Sequence, residues 1–464
     1  MLLMQLMAKR FLHIICILVL AGCVATGNPW DRSASQPAVA APNALTRTSV
    51  VQPPQAAPGS PALQQAGIEV FNFGTAETPA APQDSDDGMM QTPPPATSVA
   101  FAAAPALPPV KIGLLVPLSG ANSALGQAML QSAQLALFDM GYDSFELIPR
   151  DTNQGAQKAA QSAADAGAQM ILGPVFAPDV RAAQPVAHRY NINMIAFSTD
   201  WNLADSNTYV MGFLPFIQVQ RVAEYAATKG IRNVGILAPE NDYSNAVIAT
   251  WNSVAYRTGM TTAETVQFPE GQSDLSGVVG SFAHISPESA KKGTNSNTPA
   301  SYDAVLLPAG GEQARAVANM LSYYNLTPRA VKRIGTGLWD DTSLAAEPAL
   351  AGAWFAAPAP EQRRGFERRY AETYGQPAPR LATLAYDATA LAAVLARNGY
   401  YSMGRPAFDR ASLTNPNGFA GIDGIFRFRP DGLVERGLAV MEFKDGQIVQ
   451  IDPAPKTFQS YAGQ

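Results

Sequence analysis

The apolar residues from position 110 onward fall into short runs that alternate with longer stretches of helical spacing. Residues 110–116 form an apolar run typical of a strand, and Leu130, Ala133, Leu137 and Met140 then recur at the spacing of one helix face. The same succession predicts further strands at 145–148, 169–172, 193–197, 234–237, 262–268, 304–307 and 331–336. Strands that alternate with helices in this way predict an α/β fold of parallel sheets with helices on both faces.

This pattern restarts after residue 212, so the chain from 110 to 464 divides into two α/β halves. We expect lobe one at about 110–205 and lobe two at about 215–335, each completed by part of the C-terminal tail. The tail carries predicted helices at 361–374 and 380–397 and a final strand pair near 425–429 and 437–444. Two such lobes predict a cleft, with hinge segments near 198–215, 308–312 and 337–360.

The N-terminal residues have the features of a bacterial lipoprotein signal. Lys9 and Arg10 precede an apolar run at 11–20, which is shorter than the roughly 20 apolar residues of a membrane-spanning helix. The run leads into Leu-Ala-Gly-Cys, which resembles the lipobox at which a signal peptide, here 1–22, is removed and Cys23 receives a diacylglycerol. The alternative is an ordinary secretory signal that happens to contain a cysteine.

The residues after this cysteine predict where the anchored chain lies and how it reaches outward. Residue 24 is Val rather than Asp, which by analogy with enteric bacteria predicts the periplasmic side of the outer membrane. Ala, Pro, Ser, Thr and Gln dominate up to residue 109, and such a composition cannot bury enough apolar surface to fold. We therefore expect a disordered stalk over 23–109. Within it, 67–73 alternates like a strand and is either a docking segment or a chance cluster.

Composition and charge exclude several classes of protein. Of the 2 cysteines, Cys16 leaves with the signal and Cys23 is lipidated, so we expect no disulfide in the folded part. The net charge of −5 argues against nucleic acid as a partner. The chain has no Gly-x-Ser-x-Gly, His-Glu-x-x-His or phosphate-loop motif and only 3 histidines. We therefore expect no enzymatic activity, no cofactor and no metal site.

Several short motifs occur in a fixed order between residues 110 and 453. They are Ile-Gly-Leu-Leu-Val-Pro-Leu-Ser-Gly at 112–120 with Gly126-Gln127-Ala128, Gly173-Pro174, Ala196-Phe197-Ser198-Thr199, Ala385-Tyr386-Asp387-Ala388 and Gly421-Ile422-Asp423-Gly424. In this succession they resemble type I periplasmic binding proteins of the leucine/isoleucine/valine-binding class. The chain also resembles the branch of outer-membrane lipoproteins that activate penicillin-binding proteins. The resemblance implies a two-lobed fold in which each lobe is a parallel sheet with helices on both faces.

Ligands of open parallel sheets bind beyond the carboxyl ends of the strands, where helix N termini offer free N–H groups. In lobe one this rule selects Ser119, Asn122, Phe176, Ser198, Thr199 and Asp200. In lobe two it selects Tyr243, Gly310, Glu312, Trp339 and Asp340. The alternative is that each of these residues only caps a helix or turns a loop.

The selected side chains predict distinct contacts with a small ligand. We expect Ser198 and Thr199 to donate hydrogen bonds to an anionic group. Asp340 or Glu312 would pair with an ammonium group. Tyr243 or Trp339 would cover an apolar face.

Two departures from the amino-acid-binding members weaken the match to an amino acid. Those members carry hydroxyl residues after the third-strand Gly-Pro, whereas this chain has Val175-Phe176-Ala177-Pro178. After Gly335-Thr336-Gly337, an acidic side chain follows only at Asp340. The resemblance therefore implies amino-acid binding as an inherited possibility.

Two functions remain open from the sequence. The first is a lipid-anchored binding protein that closes its lobes on a small polar ligand of the amino-acid or short-peptide class, for transport or sensing. Its partner would be an inner-membrane permease. The second is an outer-membrane lipoprotein that activates a peptidoglycan synthase and uses the fold as an interaction platform, which the long stalk and Val24 favour.

Overall fold

The computed structural model describes residues 108–142, 144–286, 290 and 302–458. The strands are β1 Val110–Val116, β2 Phe145–Asp151, β3 Met170–Leu172, β4 Asn193–Ala196, β5 Thr208–Val210, β6 Asn233–Pro239, β7 Thr261–Phe268, β8 Ala304–Leu306, β9 Lys332–Ile334, β10 Trp354–Ala357, β11 Phe419–Gly421, β12 Gly424–Phe428, β13 Val434–Arg436, β14 Ala439–Lys444 and β15 Gln447–Asp452. The helices are α1 Ser123–Met140, α2 Ala156–Asp165, α3 Ala177–Tyr190, α4 Pro215–Thr228, α5 Asp242–Thr258, α6 Ser276–Phe282, α7 Gly311–Tyr323, α8 Thr342–Ala345, α9 Pro360–Tyr374, α10 Ala382–Met403 and α11 Arg410–Leu413.

The N-terminal predictions fall outside this part of the chain. The signal peptide 1–22, Cys23 and the stalk up to residue 107 are not among the described residues. Within the described residues, no helix combines the length and the apolar character needed to cross a membrane.

Lobe one is built on a parallel sheet with the strand order β2-β1-β3-β4-β5. The central strand β1 places Ile112 opposite Leu147 of β2 and Met170 of β3. All of β1 except Lys111 is buried. Its near-continuous apolar sequence follows from helices covering both faces of the sheet. α1 packs along α10, which brings part of the C-terminal tail against lobe one.

Lobe two is built on a mixed sheet with the strand order β15-β14-β10-β9-β8-β6-β7. The strands from β6 to β10 are parallel, whereas β14 and β15 run antiparallel at one edge. The predicted two-lobed α/β fold is thus confirmed, and the tail adds antiparallel strands that the expectation of purely parallel sheets did not include.

A small antiparallel sheet of β11, β12 and β13 is attached to lobe one. The Val210 N–H donates to the Gly432 carbonyl at 2.8 Å, and the rings of Tyr209 and Phe428 are 5.3 Å apart. The sequence predicted that the strands near 425–429 and 437–444 would pair with each other. Instead β12 joins the small sheet, and β14 pairs with β10 and β15 in lobe two.

The chain crosses between the lobes at 211–214, 358–359 and 437–438, where strands of one lobe give way to elements of the other. The first two crossings lie inside the predicted hinge segments 198–215 and 337–360. Residues 308–312, by contrast, connect β8 to α7 within lobe two, so this hinge prediction is wrong. Strand-helix counting could not separate a crossing from an ordinary loop inside a lobe.

Candidate functional site

The loop after β1 is held in place by the carboxylate at the end of β2. Ser119 Oγ donates to Asp151 Oδ2 at 2.6 Å, and the Leu118 N–H donates to Asp151 Oδ1 at 2.9 Å. Partial burial acts to raise the pKa of the Asp151 carboxyl, but hydrogen bonds from Ser119, Asn153 and Leu118 outweigh it and hold the pKa below its usual range. The Ser119 hydroxyl therefore fixes the loop, and its oxygen also accepts from Asn153 Nδ2 at 3.3 Å.

The next turn of the same loop presents Asn122. Its side chain is exposed and does not cap α1. Gly126 allows the first turn of α1 to pack against Pro117, because a Cβ at position 126 would lie 1.9 Å from the Pro117 carbonyl oxygen. The Asn122 side chain is therefore exposed at the start of α1, and its contact with a ligand stays a prediction.

The segments after β3 and β4 differ in the polar groups that they offer. Phe176 is half-buried and packs against the lobe-one core as α3 begins. Ser198 is buried and accepts a hydrogen bond from the Asp200 N–H at 3.1 Å. The Asp200 carboxylate accepts from the Asn202 N–H at 3.1 Å and pairs with Arg181. Thr199 is the exposed hydroxyl residue of this turn.

In lobe two, three residues that follow β6 and β9 form a polar group with Gln218 of α4. The half-buried Tyr243 donates its hydroxyl to Thr336 Oγ1 at 2.7 Å. The Gly337 N–H donates to Gln218 Oε1 at 2.8 Å. Burial raises the pKa of Tyr243 to about 12, so its hydroxyl is a neutral donor and acceptor near neutral pH. We call Gln218, Tyr243, Thr336 and Gly337 the lobe-two polar group.

Gln218 and Thr336 were missed by the sequence analysis. Gln218 is buried near the start of α4, directly after a crossing, where nothing in the sequence distinguishes it from a surface glutamine. A Cβ at position 337 would lie 2.7 Å from Gln218 Nε2, so glycine at this position allows the close approach. The Gly-Thr-Gly run could have marked this contact, because a glycine beside a polar residue often permits close packing.

Two further selected residues of lobe two stand at the start of α7. Gly310 packs against Leu338, because a Cβ at position 310 would lie 3.1 Å from Leu338 Cβ. The Glu312 side chain is 87% exposed and pairs with Arg315 on the same helix. Glu312 therefore points into solvent and already has a cationic neighbour, which leaves it poorly placed to hold a ligand ammonium.

Trp339 is a core residue of lobe two. It is fully buried, its Nε1–H donates to the Ala309 carbonyl at 2.8 Å, and its ring stacks on Phe443 with 5.9 Å between centroids. The ring is therefore inaccessible to a ligand in this conformation. The expectation that Trp339 covers an apolar face of a ligand is corrected accordingly.

The Asp340 carboxylate is paired with two arginines. Its side chain is 7% exposed, and it accepts from Arg363 Nη2 at 3.1 Å and from Arg380 Nε at 3.1 Å. Both carboxylate oxygens of Asp340 accept from guanidinium groups, so Asp340 offers no free charge to an ammonium group. This corrects the expected role of Asp340.

Asp340 belongs instead to a network of charges at the crossings. Arg380 also pairs with Asp423, which is fully buried and accepts from Thr383 Oγ1 at 2.6 Å. Asp387 accepts from the Ile422 N–H at 2.7 Å, and Arg436 Nη2 donates to the Met211 carbonyl at 2.9 Å. We call the six charged residues of this network the hinge cluster: Asp340, Arg363, Arg380, Asp387, Asp423 and Arg436.

Burial sets the protonation of the two innermost carboxyl groups. Burial first, and then the negative charge of Asp423, raises the pKa of Asp387 to about 7. Burial acts in the same direction on Asp423, but Arg380 and Arg436 outweigh it and hold the pKa of Asp423 below its usual value. Asp423 is therefore the ionised member of the pair and Asp387 the one that binds a proton near neutrality.

Asp387→Asn is expected to change how stability depends on pH. With a native pKa near 7 against an ordinary value of 3.8, native Asp387 keeps a proton that the unfolded chain releases. The wild-type free energy of unfolding should therefore fall as the pH rises from about 4 to 7, relative to the variant, and the difference should level off above that range. Urea unfolding at half-unit pH steps measures this difference. A constant difference across the range would contradict the protonation assigned to Asp387.

Within the described residues, the lobe-one side chains and the lobe-two polar group are not joined by a hydrogen bond or an ion pair. Of the residues selected from the sequence, four uncharged ones keep exposed or half-buried polar groups: Ser119, Asn122 and Thr199 in lobe one and Tyr243 in lobe two. The candidate contact set is therefore Ser119, Asn122, Phe176, Thr199 and Tyr243, whereas Gln218 and Thr336 are buried and hold Gly337 and Tyr243 in place.

Comparison with known proteins agrees with this architecture. A family model described as a periplasmic binding protein matches residues 109–447, well over half of the chain. Comparison with curated sequences finds no significant match.

Solved structures share the fold at low sequence identity. A leucine-binding protein of Thermotoga maritima is 20% identical, with a TM-score of 0.54, and the match covers 74% of this chain and 98% of that one. A branched-chain amino acid transporter substrate-binding protein of Streptococcus pneumoniae in complex with isoleucine is 17% identical, with a TM-score of 0.53 over 75% and 100% of the two chains. A solute-binding protein of R. palustris in complex with benzoate is also 17% identical, with a TM-score of 0.53 over 75% and 97%.

Identities this low show a common fold and leave the ligand open. The matched family model covers both lobes and all three crossings. The chain belongs to the periplasmic binding protein family.

Proposed function

We propose that this protein is a lipid-anchored periplasmic solute-binding protein that closes its two lobes on a small polar ligand, for transport or sensing. The observation that carries the proposal is that each lobe has polar groups near the carboxyl ends of its strands: Ser119 and Thr199 in lobe one, and the lobe-two polar group in lobe two. Ligands of parallel α/β sheets bind at this edge.

The chemistry of these groups narrows the class of ligand. Asp340 is neutralised by Arg363 and Arg380, and Glu312 points into solvent. The contacts that remain in the set are hydroxyl and amide groups, with Phe176 as an apolar neighbour. We therefore favour a ligand with uncharged or anionic polar groups on an apolar body over a zwitterion held by its ammonium group. Structural neighbours bound to isoleucine and to benzoate show that the fold accommodates either kind.

A thermal-shift screen of the purified chain tests the proposal. The probes are amino acids, short peptides and aromatic carboxylates. A ligand that binds only the folded state adds about 2.7 kcal/mol of stability at a hundredfold excess over its dissociation constant. We expect at least one probe class to raise the melting temperature. No shift with any probe, in protein shown to be folded and free of bound ligand, would count against solute binding.

Variants of the contact set sharpen this test. For a ligand found in the screen, Thr199→Ala and Tyr243→Phe are each expected to weaken binding about fivefold or more, because a lost hydrogen bond costs about 1 kcal/mol. Glu312→Gln is the matched control, because its side chain is 87% exposed and it pairs with Arg315 outside the contact set. Titration calorimetry measures the affinities. An equal loss of affinity in Glu312→Gln would show that the effect of the other two variants is not specific to the site.

The N-terminal sequence supports a second candidate. Val24 after the lipobox-like cysteine and the long Pro-rich stalk suit an outer-membrane lipoprotein that reaches through the cell wall to activate a peptidoglycan synthase. Under this alternative the lobes serve as an interaction platform. Cross-linking of the lipidated chain to peptidoglycan synthases in membranes, together with a negative ligand screen, would favour it.

A further inference from the structure

The last described residues connect the two lobes outside the three crossings. β15 ends at Asp452 in the lobe-two sheet, and the chain continues as Pro-Ala-Pro-Lys-Thr-Phe to Phe458. Phe458 lies in lobe one, against the small sheet of β11, β12 and β13. We call residues 453–458 the C-terminal strap.

One end of the strap is fixed to lobe two by Arg221 of α4. The guanidinium pairs with the Asp452 carboxylate, and its Nη2 donates to the Pro453 carbonyl at 3.2 Å. The Nε of the same side chain donates to the Leu438 carbonyl at 3.0 Å, within the third crossing. Arg221 therefore joins the beginning of the strap to the third crossing.

The other end is fixed to lobe one by Phe458. The ring is 3% exposed and forms a small apolar cluster with Ala420 and Ile425 that is separate from the main cores. A Cβ at Gly418 would lie 2.7 Å from Phe458 Cε2, and the Arg427 guanidinium lies 4.5 Å from the ring centroid. The Phe458 ring is therefore closely packed, and it anchors this end of the strap to lobe one.

The middle of the strap runs beside the third crossing. Pro455 Cγ lies 3.1 Å from the position that a Cβ at Gly437 would take. Prolines at 453 and 455 fix two of the backbone φ angles and reduce the slack of the segment. The six steps from Asp452 to Phe458 span at most about 20 Å when fully extended. A short, stiff connection of this kind limits how far its two ends can separate.

We propose that the C-terminal strap is a fourth, non-covalently anchored connection that limits the opening of the two lobes. The three crossings allow the lobes to rotate, and the strap stops this rotation when it becomes taut. Because it depends on neither a ligand nor the contact set, the proposal stands or falls separately from the proposed function.

Distance measurements between spin labels on the two lobes test it. The 2 cysteines of the chain, Cys16 and Cys23, are replaced by serine, and single cysteines replace the exposed Gln127 of α1 and Ala249 of α5. Insertion of Gly-Gly between Pro455 and Lys456 lengthens the strap and leaves the Phe458 anchor in place. Without any ligand, we expect the inserted chain to show a broader distance distribution, displaced by several ångströms from that of the original strap.

Release of the anchor gives an independent second result. Phe458→Ser is expected to broaden the distribution in the same way, whereas Tyr401→Ser, which removes an aromatic ring that is 69% exposed, should leave it unchanged. Circular dichroism confirms that each variant is folded. The proposal requires both altered straps to widen the distribution. If the Gly-Gly insertion left the distance distribution unchanged, the proposal would be wrong. A wider distribution in Phe458→Ser alone would then show only that Phe458 contributes to packing.

Discussion

Trp339→Ala is expected to lower the free energy of unfolding by about 3–5 kcal/mol, which is the usual cost of truncating a buried aromatic residue. The indole is fully buried between Ala309 and the rings of Phe355 and Phe443, and its N–H is already bonded. Truncation therefore leaves a cavity in lobe two and an unpaired carbonyl. Urea unfolding followed by circular dichroism measures the loss.

Two further substitutions, at positions 339 and 338, test whether Trp339 is a packing residue or a ligand contact. Trp339→Phe keeps a buried aromatic ring but leaves the Ala309 carbonyl unpaired, so it should cost about 1–3 kcal/mol. Leu338→Ala, at a side chain that is 45% exposed, should cost less than about 1 kcal/mol. If Trp339→Ala instead preserved stability and abolished ligand binding, Trp339 would contact the ligand, as the sequence analysis expected.

Asp423→Ala is expected to be comparably destabilising, by about 3–5 kcal/mol, because it removes one partner of a buried ion network. Asp423 is fully buried, pairs with Arg380 and receives the Thr383 hydroxyl. Arg436, which is 4% exposed, would lose its compensating charge as well. Urea unfolding measures the change in the free energy of unfolding.

Asp431→Ala is the matched control for this prediction. Asp431 lies in the turn between β12 and β13, its side chain is 42% exposed, and it pairs with Arg429. Exposed pairs contribute at most about 1 kcal/mol, so the control should lose little stability. Similar losses in the two variants would contradict the special role of the buried hinge cluster.

The regular part of the fold was predictable because burial on both faces leaves a clear pattern. β1 and β6 are almost wholly buried, and α9 shows helical spacing, so each was placed within two residues. β5 and β10 were missed. They have three and four residues, and whether such short runs become strands depends on the neighbours with which they pair.

The site was predictable only in part, for a different reason. The rule that ligands bind at strand carboxyl ends selected Ser119, Thr199 and Tyr243 from chain position alone. It could not show that Trp339 turns inward or that Asp340 meets Arg380, because those contacts depend on residues far away in the sequence.

The hinge cluster shows the same limit. Asp387 and Asp423 appeared in the sequence only as members of motifs shared with a family, without any indication of their partners. Asp387 lies far from Asp423 in the sequence, and Arg436 lies far from Met211. A local sequence pattern therefore could not predict the contacts of this network.

The interlobe distance between labels at positions 127 and 249, measured with and without a saturating ligand from the thermal-shift screen, tests the central claim most directly. The account predicts a shorter and narrower distribution when the ligand is bound, because the polar groups of the two lobes close around it. A ligand that binds with measurable heat and leaves the distribution unchanged would contradict closure, and the protein would then be better described as a rigid two-lobed platform.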